Sequence, residues 1–294
     1  MKHVVRLLIL LSVTAAAWAA PKPVPKGAKA AGPLSDDKAV AELRARASKA
    51  AQAKDRKAFV DCMTGPSRAL FGKVFPEDAW EPVGIGGRKT LRLIELRRHD
   101  DKPWAMAVVP AGEGDGQDAF FARKKDGRWA LDQQHTLLLW DTVQEIMRNK
   151  KGEKRADPAL EAPTLLPRQL KAEALPEGWS VDDPAAEDDW SHLPGVREAF
   201  NQKLRGPRDK SINAKFVLFA DPEQAEWELW RRKMELGLKE DLAQTQPSMG
   251  DSATLGKHSN TSFELLLRKG STLVIFYANS EDVLPIGQRV IDKL

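Results

Sequence analysis

The apolar positions change their spacing several times along the chain, and each change marks an element. Val40, Leu43 and Ala47, followed by Ala50 and Ala51, recur every three or four residues. That spacing predicts a helix opening at Ser35-Asp36-Asp37, where a hydroxyl caps the backbone and two acids face the positive helix end. Asp55 is placed to cap a second short helix carrying Phe59 and Met63, closed by Gly65-Pro66. A third helical piece covers Ser67 to Phe71. Beyond this point the period falls to two. Leu91 to Arg98 changes parity midway, which predicts a bulge or bend. Trp104 to Val109 is apolar on both faces and reads as a central strand. Ala119 to Lys125 and Arg128 to Gln133 flank Asp126-Gly127, a hairpin turn. A helix or strand covers Leu137 to Met147.

A charged run from Arg148 to Arg155, then Pro158, Pro163 and Pro167, separates this half from the next. There, Ala214 to Ala220 reads as a strand. Asp221-Pro222-Glu223 opens a helix whose stripe is Trp227, Trp230, Met234 and Leu238. This stripe puts Arg231, Arg232 and Lys233 on the solvated face, offset by Glu226, Glu228 and Glu235. Ser262 to Arg268 and Thr272 to Ala278 form a hairpin about Lys269-Gly270-Ser271, and a final helix carries Val283 to Leu294. The whole is an α+β chain of two domains, each a mainly antiparallel curved sheet with helices on one face.

The first residues carry an address. Lys2, His3 and Arg6 precede the apolar run Leu7 to Val13, and Ala17-Trp18-Ala19 precedes Ala20-Pro21. This is the layout of a secretory signal peptide over 1–19, cut between Ala19 and Ala20, and the run is short for a membrane span. Residues 20–34, rich in Pro, Lys and Ala, read as a disordered tether. The remaining divisions are a first domain over 35–150, a linker over 151–167 and a second domain over 168–294. A periplasmic or secreted protein with no stable membrane span after cleavage is expected.

Composition then excludes several classes. There are 46 Lys+Arg against 42 Asp+Glu, a formal charge of +4. Cleavage removes Lys2 and Arg6, which halves that excess and argues against nucleic acid as a partner. One cysteine, Cys62, rules out an internal disulfide framework and a cysteine zinc site. It reads as a small buried hydrophobe, with a disulfide-linked dimer as the alternative. His99, His135, His192 and His258 lack metal-ligand spacing. The acids of 182–189 lack the calcium-loop pattern, and the glycines after Val83 form no phosphate loop. No metal, cofactor or catalytic residue is assigned.

The segments AVAELRARASKAAQAKDRKAFVDCM, WAMAVVP and DAFFARKKDGRWALDQ follow one another as helices and then bent strands. In this order the first domain resembles the NTF2-like (SnoaL-like) superfamily. The resemblance implies a cone-shaped pocket, with Glu95, Trp104, Trp129 and Asp132 as candidate wall residues. It also implies the alternative of an isomerase or hydrolase-like enzyme, although the one tyrosine, Tyr277, lies in the other half. Gly250-Asp251-Ser252-Ala253 and the hairpin turn at Arg268-Lys269-Gly270 give the second half a fainter likeness to bacterial extracytoplasmic sensor-type domains, usually non-catalytic. The expectation is therefore an exported, non-catalytic envelope protein that binds a small ligand or a protein partner. An envelope-assembly role is the further alternative.

Overall fold

A computed structural model of the chain describes residues 35–75, 95–110, 117–138, 165, 169–186, 190, 193–237 and 243–294. The signal, the tether, His192 and, apart from Leu165, the linker expected over 151–167 lie outside them. Two compact units divide between Leu137 and Leu138. The class is α+β, and both sheets are antiparallel.

The first unit begins with α1 (Ser35–Gln52), α2 (Arg56–Asp61) and α3 (Gly65–Val74). Asp55 does cap α2, accepting from the Ala58 N–H at 3.0 Å. Gly65-Pro66, however, opens α3 instead of closing α2. Proline suits a first helical turn, whose N–H groups have no partner within the helix, and Thr64 supplies the cap. A meander follows, β1 (Glu95–Arg98), β2 (Trp104–Pro110), β3 (Gln117–Lys125) and β4 (Arg128–Asp132), paired in that order. Asp126 and Gly127 both take positive φ, 50° and 76°, so the turn between β3 and β4 is the tight hairpin their sequence predicts. Cys62 is buried, its thiol pushed up by desolvation, and donates to the Ala58 carbonyl.

The second unit holds β5 (Ser180–Val181), β6 (Ala185–Ala186), β7 (Val196–Arg205), β8 (Ser211–Phe219), α4 (Pro222–Leu236), β9 (Ala243–Thr245), β10 (Ser252–Ser259), β11 (Ser262–Lys269), β12 (Thr272–Ala278) and α5 (Val283–Lys293). The sheet order is β5-β7-β8-β12-β11-β10-β9, with β6 also on β7. Period-two alternation gives this sheet two apolar faces. Ile212, Phe216, Leu265, Val274 and Phe276 pack with Val283, Ile286 and Val290 of α5. Val217, Phe219, Leu266, Leu273 and Ile275 pack with Ala225, Leu229 and Leu236 of α4. One helix therefore lies on each face of this sheet, where the sequence pattern places both on one. A strand apolar on both sides requires cover on both sides.

Buried polar side chains tie the segment before β5 to β7. Gln202 accepts from the Leu170 N–H and donates to the Leu170 carbonyl, at 3.2 and 2.8 Å. The Glu198 carboxylate accepts from the Leu165 N–H at 2.7 Å. These amides would otherwise be buried without partners. Gly287 is required by close approach. A Cβ there would lie 2.7 Å from Leu265 Cδ2, so α5 sits flush on β11.

At the start of α5, Lys210 Nζ donates to Asp282 Oδ2 at 2.6 Å, and the Ser280 hydroxyl donates to the same oxygen at 3.0 Å. The Lys210 hydrogen bond is the main cause holding the Asp282 carboxyl below its ordinary 3.8. A carboxyl depressed in the folded state stabilises above its unfolded pKa, and that contribution is lost as pH falls through the folded value. Asp282→Asn therefore lowers the urea midpoint at neutral pH. The gap from wild type closes below pH 3.8, as the aspartate of the wild type becomes neutral too. A gap constant down to the acid transition would contradict this pairing.

Candidate functional site

The helix α4 is buried nearly all round. Trp227 and Trp230 lie against each other, ring centroids 5.4 Å apart. The stripe meeting the sheet is a different one: Ala225, Leu229, Arg232 and Leu236, at spacings of four, three and four. This corrects the expectation that Arg231 and Arg232 stand on a solvated face. The Trp stripe is offset from the sheet, so the rotation of the helix carries the arginines inward.

Charge pairing compensates that burial. The Arg231 guanidinium donates to Glu228 Oε2 at 3.0 Å and also to Glu235, and the side chain of Glu228 has 0% exposure. Arg232 Nη2 donates to Glu264 Oε1 at 3.0 Å and to the Tyr277 hydroxyl at 2.5 Å. Burial works against the charge of Arg232, but Tyr277, Glu264, Glu235 and Glu228 outweigh it and raise its pKa.

The sheet beneath presents a polar row. Asn213, Tyr277, Glu264 and Gly256 are register neighbours across β8, β12, β11 and β10. All lie at the sheet end where the β10–β11 hairpin turns. The register of β10 shifts between Lys257 and Ser259, and His258 sits at that shift. Its Nε2 lies 3.5 Å from Glu264 Oε2. Gly256, without a side chain, stands directly opposite Glu264.

His258, Glu264 and Tyr277, with Ser211, Ser262, Phe263, Ala278 and Asn279, line a groove of about 470 Å³. Asn279 fixes one wall. Its Oδ1 accepts from the Ser211 N–H at 2.7 Å and its Nδ2 donates to the Asp209 carbonyl at 2.8 Å. The loop so held contains Arg208 and Asp209, both at positive φ without being glycine, 57° and 59°. Such backbone costs about 1–2 kcal/mol per residue and persists where its surroundings hold it.

The candidate wall residues of the first unit lie on both faces of its sheet. By register, Glu95, Trp104 and Asp132 share one face of the four-stranded sheet and Trp129 lies on the other. Glu95 is exposed and pairs with Arg97. Trp104 has 0% exposure, as do Met106 and Val108 on the same face. Trp129 Nε1 donates to Asp36 of α1 at 3.2 Å, and Lys124 donates to the same oxygen at 2.7 Å. Asp132 is buried, and both its oxygens accept from Gln134 Nε2 at 3.1 Å.

The residues of the second-unit groove escaped sequence reading for an identifiable reason. Four strands supply them, and only the register brings His258, Glu264 and Tyr277 together. The one available signal is an acid inside an apolar alternation, Glu264 between Phe263 and Leu265.

Among the described residues, no group of three or more His, Cys, Asp or Glu is placed to hold a metal, and no helix is long and apolar enough to cross a membrane. No protein-family model matches the chain, and no curated protein or solved structure matches it.

Proposed function

We propose that the protein is an exported binding protein of the bacterial envelope, non-catalytic, which takes a small polar ligand in the groove at the end of the second-unit sheet. The carrying observation is the groove itself. Its polar lining is backed by a buried ion network that holds Glu264 and Tyr277 in fixed positions, and preorganised polar groups are what a ligand site needs. The basic start, apolar run and Ala17-Trp18-Ala19 support export. The helices followed by a meander in the first unit support the NTF2-like reading of that unit as a scaffold. Its face beside Asp132 is occupied by Trp104 and Met106, and Asp132 is held by Gln134, so the observations favour the second unit for binding.

The test is a thermal-shift screen of the protein against amines, amino acids, sugars and carboxylates, with Ser262→Trp as a blocked variant. Ser262 is exposed at the groove, so the indole fills it without disturbing the core. A ligand at a hundred times its Kd stabilises the fold by about 2.7 kcal/mol. The expected result is a rise in Tm with at least one class, lost in Ser262→Trp. No rise with any class, or equal rises in both proteins, would overturn the assignment to this groove.

A further inference from the structure

We infer that Arg44 on α1 binds a small oxyanion, a phosphate or carboxylate group that offers two oxygens to one guanidinium. The site lies in the first unit and is independent of the second-unit groove.

The first ground is that Arg44 differs from the other buried charges. Among the described residues, the charged side chains that are buried are Arg44, Asp132, Glu198, Glu228, Arg231 and Glu264. Asp132 accepts from Gln134, Glu198 from the Leu165 N–H, Glu228 from Arg231 and Glu264 from Arg232. Arg44, 5% exposed, makes no hydrogen bond and no ion pair with any described residue. Burial pushes its pKa down, and no described carboxylate opposes that shift. A guanidinium does not escape burial by losing its proton. A buried charge without a counter-ion is costly, and an anion arriving from outside removes that cost.

The second ground is that the acids of α1 are engaged elsewhere. Asp36 accepts from Lys124 at 2.7 Å and from Trp129 at 3.2 Å. Asp37, two turns before Arg44 on the same side of the helix, lies 3.4 Å from Arg98 Nε. Glu42 is exposed on the far side of the helix, beside Lys38 at 4.0 Å.

The third ground is approach. Val40, Leu43, Ala47, Ala50 and Ala51 form the buried stripe of α1, and Arg44 lies at its margin. A helical side chain leans over the turn before it, which for Arg44 is the turn holding Ala41. Ala41 is exposed and ends at its methyl. The helix itself therefore does not screen the guanidinium from a small ion arriving over that methyl.

The class of ligand follows from the donor. One guanidinium carries one charge and presents a planar fork of N–H groups, which two oxygens of a single anion satisfy together. A halide has no second atom to offer the fork.

The experiment is a thermal-shift titration of the full chain carrying Ser262→Trp, so that the groove of the second unit takes no part. Inorganic phosphate and acetate are each compared with sodium chloride at equal ionic strength. A saturable rise in Tm is expected with phosphate or acetate, the stronger of the two naming the group, and none with chloride. Arg44→Met in the same background weakens that anion about tenfold or more. Ala41→Glu places a carboxylate three residues before Arg44, so it raises Tm above that of Ala41→Gln and abolishes the anion response. No effect of phosphate or acetate beyond that of chloride would overturn the inference. So would an effect that Arg44→Met leaves unchanged, or an Ala41→Glu chain no more stable than Ala41→Gln. Should Arg44→Met not fold, the anion titrations and the two Ala41 variants decide the matter.

Discussion

Replacing Glu228 by alanine lowers the unfolding free energy of the second unit by about 3–5 kcal/mol. Glu228 is fully buried, and its Oε2 accepts from Arg231 Nε at 3.0 Å. The side chain of Arg231 is itself only 5% exposed. Removing the carboxylate takes a fully buried ion partner from this guanidinium, whereas Glu235, which it also meets, is 35% exposed. A buried charge deprived of its partner keeps its desolvation cost and loses the attraction that offset it. The paired replacement Glu228→Leu with Arg231→Met behaves differently. It removes both charges, fills a similar volume, and leaves stability near or above wild type. Urea unfolding at unchanged m-value measures both. A Glu228→Ala cost under about 1 kcal/mol, as for a surface pair, would show that the network is solvated.

Phe216→Ala costs about 3–5 kcal/mol, through the cavity left between the sheet and α5. Phe216 is 1% exposed, and its ring stacks on Phe200 of the neighbouring strand with centroids 4.7 Å apart and planes 12° apart. The pair sits in the core that α5 closes. Because the rings touch, Phe200→Ala and Phe216→Ala are not additive. A double-mutant cycle returns a coupling of about 0.5–1.5 kcal/mol, the usual range for an aromatic pair beyond its buried area. Additive losses would contradict the stacking.

The sequence makes legible those elements whose side chains alternate or repeat without polar interruption. Phe263 to Arg268, Thr272 to Ala278, the Asp126-Gly127 hairpin and the caps at Asp55 and Asp221 all fall where local pattern places them. The strand β7 does not announce itself, because Glu198 and Gln202 occupy inward positions. They face inward to bond the backbones of Leu165 and Leu170, partners more than thirty residues away that no local window contains. The rotation of α4 was hidden for a similar reason. Periodicity counts tryptophans as the buried stripe and arginines as the wet one. Here Arg232 is drawn to Glu264 and Tyr277, which lie far along the chain. The groove belongs to the same category. Its charge and its shape come from strand register, and register is a property of the assembled sheet.

The measurement that bears most directly on the binding groove is an amide-resolved NMR titration of the full chain with the compound that raises Tm most in the screen of amines, amino acids, sugars and carboxylates. The account predicts saturable shifts confined to Ser211, Gly256 to Glu264 and Tyr277 to Asn279, with the amides around Asp132 in the first unit unmoved. Shifts centred on Asp132 and Trp104, or scattered over exposed carboxylates without saturation, would contradict it.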